Sequence, residues 1–208
     1  MNRRWWSAGL SVVTVGLVGV LAACSSNAGP SNPAKPPSFS SKPATPTSAP
    51  PFVGKVPASC DPVAAPADVN KALGHTLTGT ANGIVGVAEA AIGRTARLDC
   101  YYGIPPNQPA PTGLVSIGIG GYDNAADAAH RVLETVNQAR DTGYTSSNVQ
   151  VSGQNAVLLA GPQNQEVVLS AGTITVLITA ANSVVQPGKA GPPLIQLAAK
   201  ALTAAQHA

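Results

Sequence analysis

The 208-residue sequence is poor in charge and in aromatic rings: 12 Lys and Arg stand against 9 Asp and Glu, with 10% charged and 4% aromatic residues. Phosphate contacts to nucleic acid need clustered cations, and no basic run here exceeds Arg3-Arg4, which excludes a nucleic-acid-binding chain. Both Trp and both Phe precede residue 58. Tyr101, Tyr102, Tyr122 and Tyr144 are the only rings beyond it, so an aromatic platform for stacking sugars has little support. The three Cys include no CxxC pair, and His75, His130 and His207 lack HExxH or any other metal-ligand spacing, so no metal and no cofactor is expected. The Gly-x-Ser-x-Gly elbow of serine hydrolases is missing as well. Gly118-Ile119-Gly120-Gly121 lies between a strand pattern and a helix pattern, but Asp123 stands where a dinucleotide fingerprint needs its third glycine.

What is present begins with a leader. Arg3 and Arg4 precede an uncharged apolar run of 16 residues, 8–23, shorter than the roughly 20 needed to cross a bilayer. The run ends in Leu21-Ala22-Ala23-Cys24, which resembles the lipobox of bacterial lipoproteins. That resemblance implies a signal peptide over residues 1–23 and a diacylglycerol thioether on the Cys24 sulfur. It also implies palmitate-type acyl chains anchoring the mature chain to the outer, extracytoplasmic face of the cell membrane. Residues 25–57 then hold nine prolines, seven serines and two threonines. Such a segment cannot bury a core, so residues 24–57 are expected to form a lipidated, disordered tether.

Residues 58–208 carry the periodic segments and are long enough for one sizeable domain. With Cys24 lipidated, Cys60 and Cys100 remain as an even pair in an exported chain, which reads as one disulfide. A short helix is expected over 66–74, with Pro66 in its first turn and Gly74 as its stop. Residues 94–102 alternate, placing Leu98, Cys100 and Tyr102 on one face and Arg97, Asp99 and Tyr101 on the other. A second strand is expected over 114–120. The clearest helix spans 123–140, capped by Asp123, with Ala129, Val132, Leu133 and Val136 inward. Strands follow over 148–151, 156–160, 165–170 and 173–180, with Ala171-Gly172 as a tight hairpin turn, and a last helix opens at Pro192-Pro193. Residues 78–93, rich in Gly and Ala, show no assignable pattern. Strand clusters joined by short connections point to an α+β fold, an antiparallel sheet with helices packed on one face.

The lipobox, the Pro/Ser tether, Cys60-Asp61-Pro62 ahead of a helix ending Ala72-Leu73-Gly74, and Leu98-Asp99-Cys100-Tyr101-Tyr102 together resemble a lipoprotein family of mycobacteria and related actinobacteria. Val149-Gln150-Val151-Ser152-Gly153 fits the same pattern, whereas Tyr101 stands where the family often has Trp. The resemblance implies a cell-envelope location and a Cys60–Cys100 disulfide, and brings no known chemistry.

The candidate contact patch is Arg97, Asp99 and Tyr101, charged and aromatic groups sharing one strand face. Glu89, Glu134 and Glu166 are too scattered in sequence to nominate a glycosidase pair. The favoured function is a non-enzymatic binding or accessory module of the envelope, with a lipid, glycolipid or envelope protein as its ligand. The alternative is a cell-wall hydrolase or transferase whose site has no recognised motif.

Overall fold

A computed structural model describes residues 52–208. The lipobox with Cys24, and the tether up to residue 51, lie outside the described residues. The described chain opens with α1 (Pro66–Leu73) and a meander of β1 (Thr80–Gly86), β2 (Arg94–Ile104) and β3 (Val115–Tyr122). After α2 (Ala125–Asp141) a second meander follows: β4 (Thr145–Val151), β5 (Gln154–Ala160), β6 (Asn164–Ala171) and β7 (Ile174–Ala181). α3 (Gly191–Gln206) closes the chain. All seven strands form one antiparallel sheet in the order β1-β2-β3-β7-β6-β5-β4, so the two meanders meet where β3 pairs with β7.

The α+β class and the antiparallel sheet are as the strand pattern indicates, but the helices do not share a face. On one face Leu98, Cys100, Ile117, Ile119, Leu169, Val176 and Ile178 are buried beneath α3 and the α1 segment. The alternate residues Val157, Leu159, Val168 and Leu177 meet Val132, Val136 and Ala139 of α2 on the other. Successive strand residues point to opposite faces, so helices on both sides demand strands that are apolar throughout. Val167-Val168-Leu169 and Val157-Leu158-Leu159 are such runs. On α3, Ala198, Ala201 and Ala205 are fully buried among Leu194, Leu197 and Leu202; small side chains let the helix lie close to the sheet.

Local signals place most boundaries within a residue or two. Gly74 closes α1 with φ +76°, the left-handed conformation that glycine adopts without a Cβ clash. The cap of α2 is Asn124 rather than Asp123: its side-chain oxygen accepts from the Asp127 N–H at 2.9 Å. The inward stripe of α2 is Ala128, Val132, Val136 and Ala139, while Ala129 is exposed and Leu133 stands 55% exposed. The unassigned stretch 78–93 contains β1 and a 3-10 turn, Ala90–Ile92. β1 is an edge strand exposed along almost its whole length, with Ile84, Val85 and the following Val87 open to solvent. With neither face buried it has no need of alternation. The folded unit also begins before Ala58, because Phe52 and Val56 pack against the core and the Lys55 N–H donates to the Ala205 carbonyl at 2.8 Å.

Cys60 and Cys100 are joined by a disulfide, with Cα atoms 5.7 Å apart. It ties the segment ahead of α1 to the buried face of β2. Nearby, the Tyr102 hydroxyl donates to the Ala64 carbonyl at 2.7 Å, and burial pushes that phenol up to about 12.

The β6–β7 turn residues are Gly172 and Thr173, one place later than the sequence pattern implies. The β4–β5 hairpin turns on Ser152-Gly153, with φ +50° and +80°, so a serine occupies a left-handed position that asparagine tolerates better. Ser152→Asn is therefore expected to stabilise the domain by about 0.5 kcal/mol, read as a higher midpoint in urea unfolding.

Candidate functional site

The site is built on the half of the sheet that α2 leaves uncovered. Ile117 and Ile119 of β3 point into the core, so its opposite face presents Ser116, Gly118 and Gly120, with Tyr122 at the strand's end. Register places Tyr101, Asp99 and Arg97 of β2 beside the first three, and Thr179, Leu177 and Thr175 of β7 on their other flank. A strand with almost no side chains between two strands that have them makes a trough. The glycines are needed for it. A Cβ on Gly118 would lie 3.0 Å from the Asp99 Oδ1, and one on Gly120 would lie 2.8 Å from the Thr175 Oγ1.

Where α2 passes over β7 the trough deepens into a cleft of about 80 Å³. Arg94, Arg97, Asp99 and Tyr122 form one wall, and Arg131, Val132 and Thr135 of α2 overhang from the other side. Arg97 grips Asp99 side-on, Nε donating to Oδ2 at 2.6 Å and Nη2 to Oδ1 at 3.1 Å. This contact is the main reason the Arg97 guanidinium is held more firmly protonated than usual. Arg94 Nη2 meets Glu89 Oε2 at 2.6 Å, and its buried Nε has no hydrogen-bond partner. Arg131 reaches Glu134 at 3.3 Å, a pair open to solvent on both sides and so of little energetic weight.

The three residues of the expected contact patch thus share one face of β2. Arg97 and Asp99 line the cleft, while Tyr101 sits one register row away beside Ser116. Burial, and then the Asp99 carboxylate, push the Tyr101 phenol upward. Sequence reasoning missed Arg94 and Arg131. Simple alternation would put Arg94 on the face opposite Arg97, but a register irregularity between Arg94 and Ala96 breaks it. Arg131 reaches the site only because α2 crosses the sheet there, which no local pattern reveals. His130 is exposed on α2, His75 contacts the Val184 carbonyl at 2.9 Å, and neither lines the cleft. Among the described residues no group of three His, Cys, Asp or Glu could hold a metal ion, and no helix is long and apolar enough to cross a membrane.

Glu166 lies in the same row of the sheet as Thr179, and burial raises its carboxyl above the ordinary range. A carboxyl whose folded value lies above its unfolded value binds more protons when folded. Stability is then full below the unfolded value and is lost as pH rises through the folded one. Glu166→Gln is expected to abolish that loss and to stabilise the protein at neutral pH, read from thermal midpoints between pH 4 and 8.

No protein-family model matches the chain, and no curated protein matches it. Among solved structures it is similar to the extracellular domain of PknH from Mycobacterium tuberculosis. The TM-score is 0.42 and the identity 14%, over 70% of this chain and 93% of that one. At that distance the likeness transfers neither ligand nor activity.

Proposed function

We propose that this is an exported lipoprotein of the cell envelope, held at the outer face of the membrane by acyl chains on Cys24, whose domain is a binding or accessory module rather than an enzyme. The observation that carries the reading is the cleft. Guanidinium, carboxylate and hydroxyl groups converge on a floor kept bare by Gly118 and Gly120, an arrangement suited to holding a polar group of matching shape. The Cys60–Cys100 disulfide supports export, since such bonds persist in oxidising compartments. The lipobox and the resemblance to actinobacterial lipoproteins support the anchor. A cleft of about 80 Å³ suits the polar head of a lipid or glycolipid, with its acyl chains remaining in the membrane beside the anchor.

A photo-crosslinking residue in place of Thr135, at the cleft, tests this in living cells against one in place of Thr203 on α3. The expected result is a discrete envelope adduct from Thr135 and none from Thr203. Equal labelling from both positions, or none from Thr135, would sink the reading. The exposed edge of β1 favours a second reading, an envelope protein adding a strand beside Ile84 and Val85. Adducts confined to a crosslinker at Val85 would support that one instead.

A further inference from the structure

The cleft has a chemical bias that names its ligand more closely. Of the six arginines in the sequence, three line this one cleft: Arg94, Arg97 and Arg131. Only one carboxylate, that of Asp99, shares its wall, and Arg97 holds it by both oxygens. Glu89 and Glu134 contact Arg94 and Arg131 but do not line the cleft. A guanidinium has five N–H donors in a planar fork, and each of these pairs uses only one or two of them. Donors therefore remain on all three arginines, although the unpartnered Arg94 Nε is itself closed off from the cleft.

Size and donor geometry narrow the acceptor. Space of about 80 Å³ holds about three waters, or one tetrahedral oxyanion, and is too small for an acyl chain. Each guanidinium is already offset by a carboxylate, Asp99 in the wall and Glu89 and Glu134 outside it, so the selection rests on the several oxygens a phosphate offers to three forks rather than on an unpaired charge. The arginine fork also fits phosphate oxygens two at a time. The Thr175 hydroxyl can donate to a remaining oxygen, whereas that of Thr135 already donates to the Arg131 carbonyl at 2.9 Å; Val132 and Leu177 give the cleft a dry side against which such a bond strengthens.

We propose that the cleft between α2 and the sheet binds a phosphate group, with Arg97 and Arg131 as its principal ligands and Arg94 as the cation at its wall. This rests on the reading of the domain as a binding module and gives that module its ligand class. The phosphate is either that of a lipid headgroup or a free one.

The test uses the mature chain from Cys24 in non-ionic detergent, labelled with ¹⁵N at arginine, so that the four Nε–H signals of Arg94, Arg97, Arg131 and Arg140 report the site and a control position. Titration with inorganic phosphate is expected to shift the Arg97 and Arg131 signals saturably and to leave Arg140, which does not line the cleft, in place. Arg131→Gln, at an exposed pair, should weaken binding tenfold or more without moving the thermal midpoint, whereas Arg140→Gln should not weaken it. Micelles doped with phosphatidylglycerol producing the same shifts, where micelles doped with a phosphate-free anionic lipid such as oleate do not, would assign the phosphate to a lipid headgroup. Shifts with inorganic phosphate alone would assign it to a free phosphate. No saturable shift with either phosphate source overturns the proposal. If a phosphate-free envelope extract still shifts the Arg97 signal in that case, the binding module stands with another ligand; if nothing does, both fall.

Discussion

Replacing Cys60 and Cys100 together by alanine is expected to destabilise the domain by about 4 kcal/mol, the largest loss available from any single link in this fold. The bridge spans a sequence separation of 40 residues, and cross-linking a loop of that length removes a large share of the unfolded chain's freedom. The residues it joins make the loss hard to recover. Cys100 is fully buried on β2, whereas Cys60 belongs to an irregular segment held to the domain by few other bonds, among them Tyr102 to Ala64. Net stabilities of domains this size are about 5–15 kcal/mol, so the loss is a large fraction of the whole. Urea unfolding of the oxidised wild type and the double variant measures it. A difference below about 1 kcal/mol would show that the segment is held by its packing and not by the bridge.

Cys24→Ala is expected to remove the acyl anchor altogether. Each buried methylene contributes about 0.8 kcal/mol of membrane affinity, so two long acyl chains contribute about 20 kcal/mol or more, while one such chain gives only reversible binding. No surface charge of the described domain approaches that. The readout is metabolic labelling with an alkyne analogue of palmitate: strong label on the wild-type chain and none on Cys24→Ala. Equal label on both would move the acylation to another residue and remove the lipobox reading.

Much of this molecule was legible in its sequence, and the reasons are particular. Alternation on β2 and β7 put Cys100 and Ile178 on the buried face because one side of those strands is covered by α3 while much of the other is polar. The same rule misplaced the helices. It treats the sheet as one-sided, yet Val167-Val168-Leu169 is apolar on consecutive residues because α2 and α3 cover β6 from opposite sides. β1 was invisible for the converse reason: an exposed edge strand has no buried face to impose a period, and Ile84-Val85 without alternation carries no strand signature. At the site, Arg97 and Asp99 were found because they share the parity of a regular strand. Arg94 was hidden by a break in that parity, and Arg131 by the crossing of α2, which depends on how one element packs on another. Cations scarce enough to exclude nucleic acid are also few enough that three arginines on one cleft stand out once the fold is known.

The most direct measurement is the intact mass of the protein purified from the membrane fraction of cells that process lipoproteins. The expected mass is that of a chain beginning at Cys24, increased by a diacylglyceryl group with or without a third acyl chain, and two hydrogens lighter than its reduced form. A mass that retains residues 1–23, or one with no acyl increment, would contradict the account of a lipid-anchored module at the outer face of the membrane.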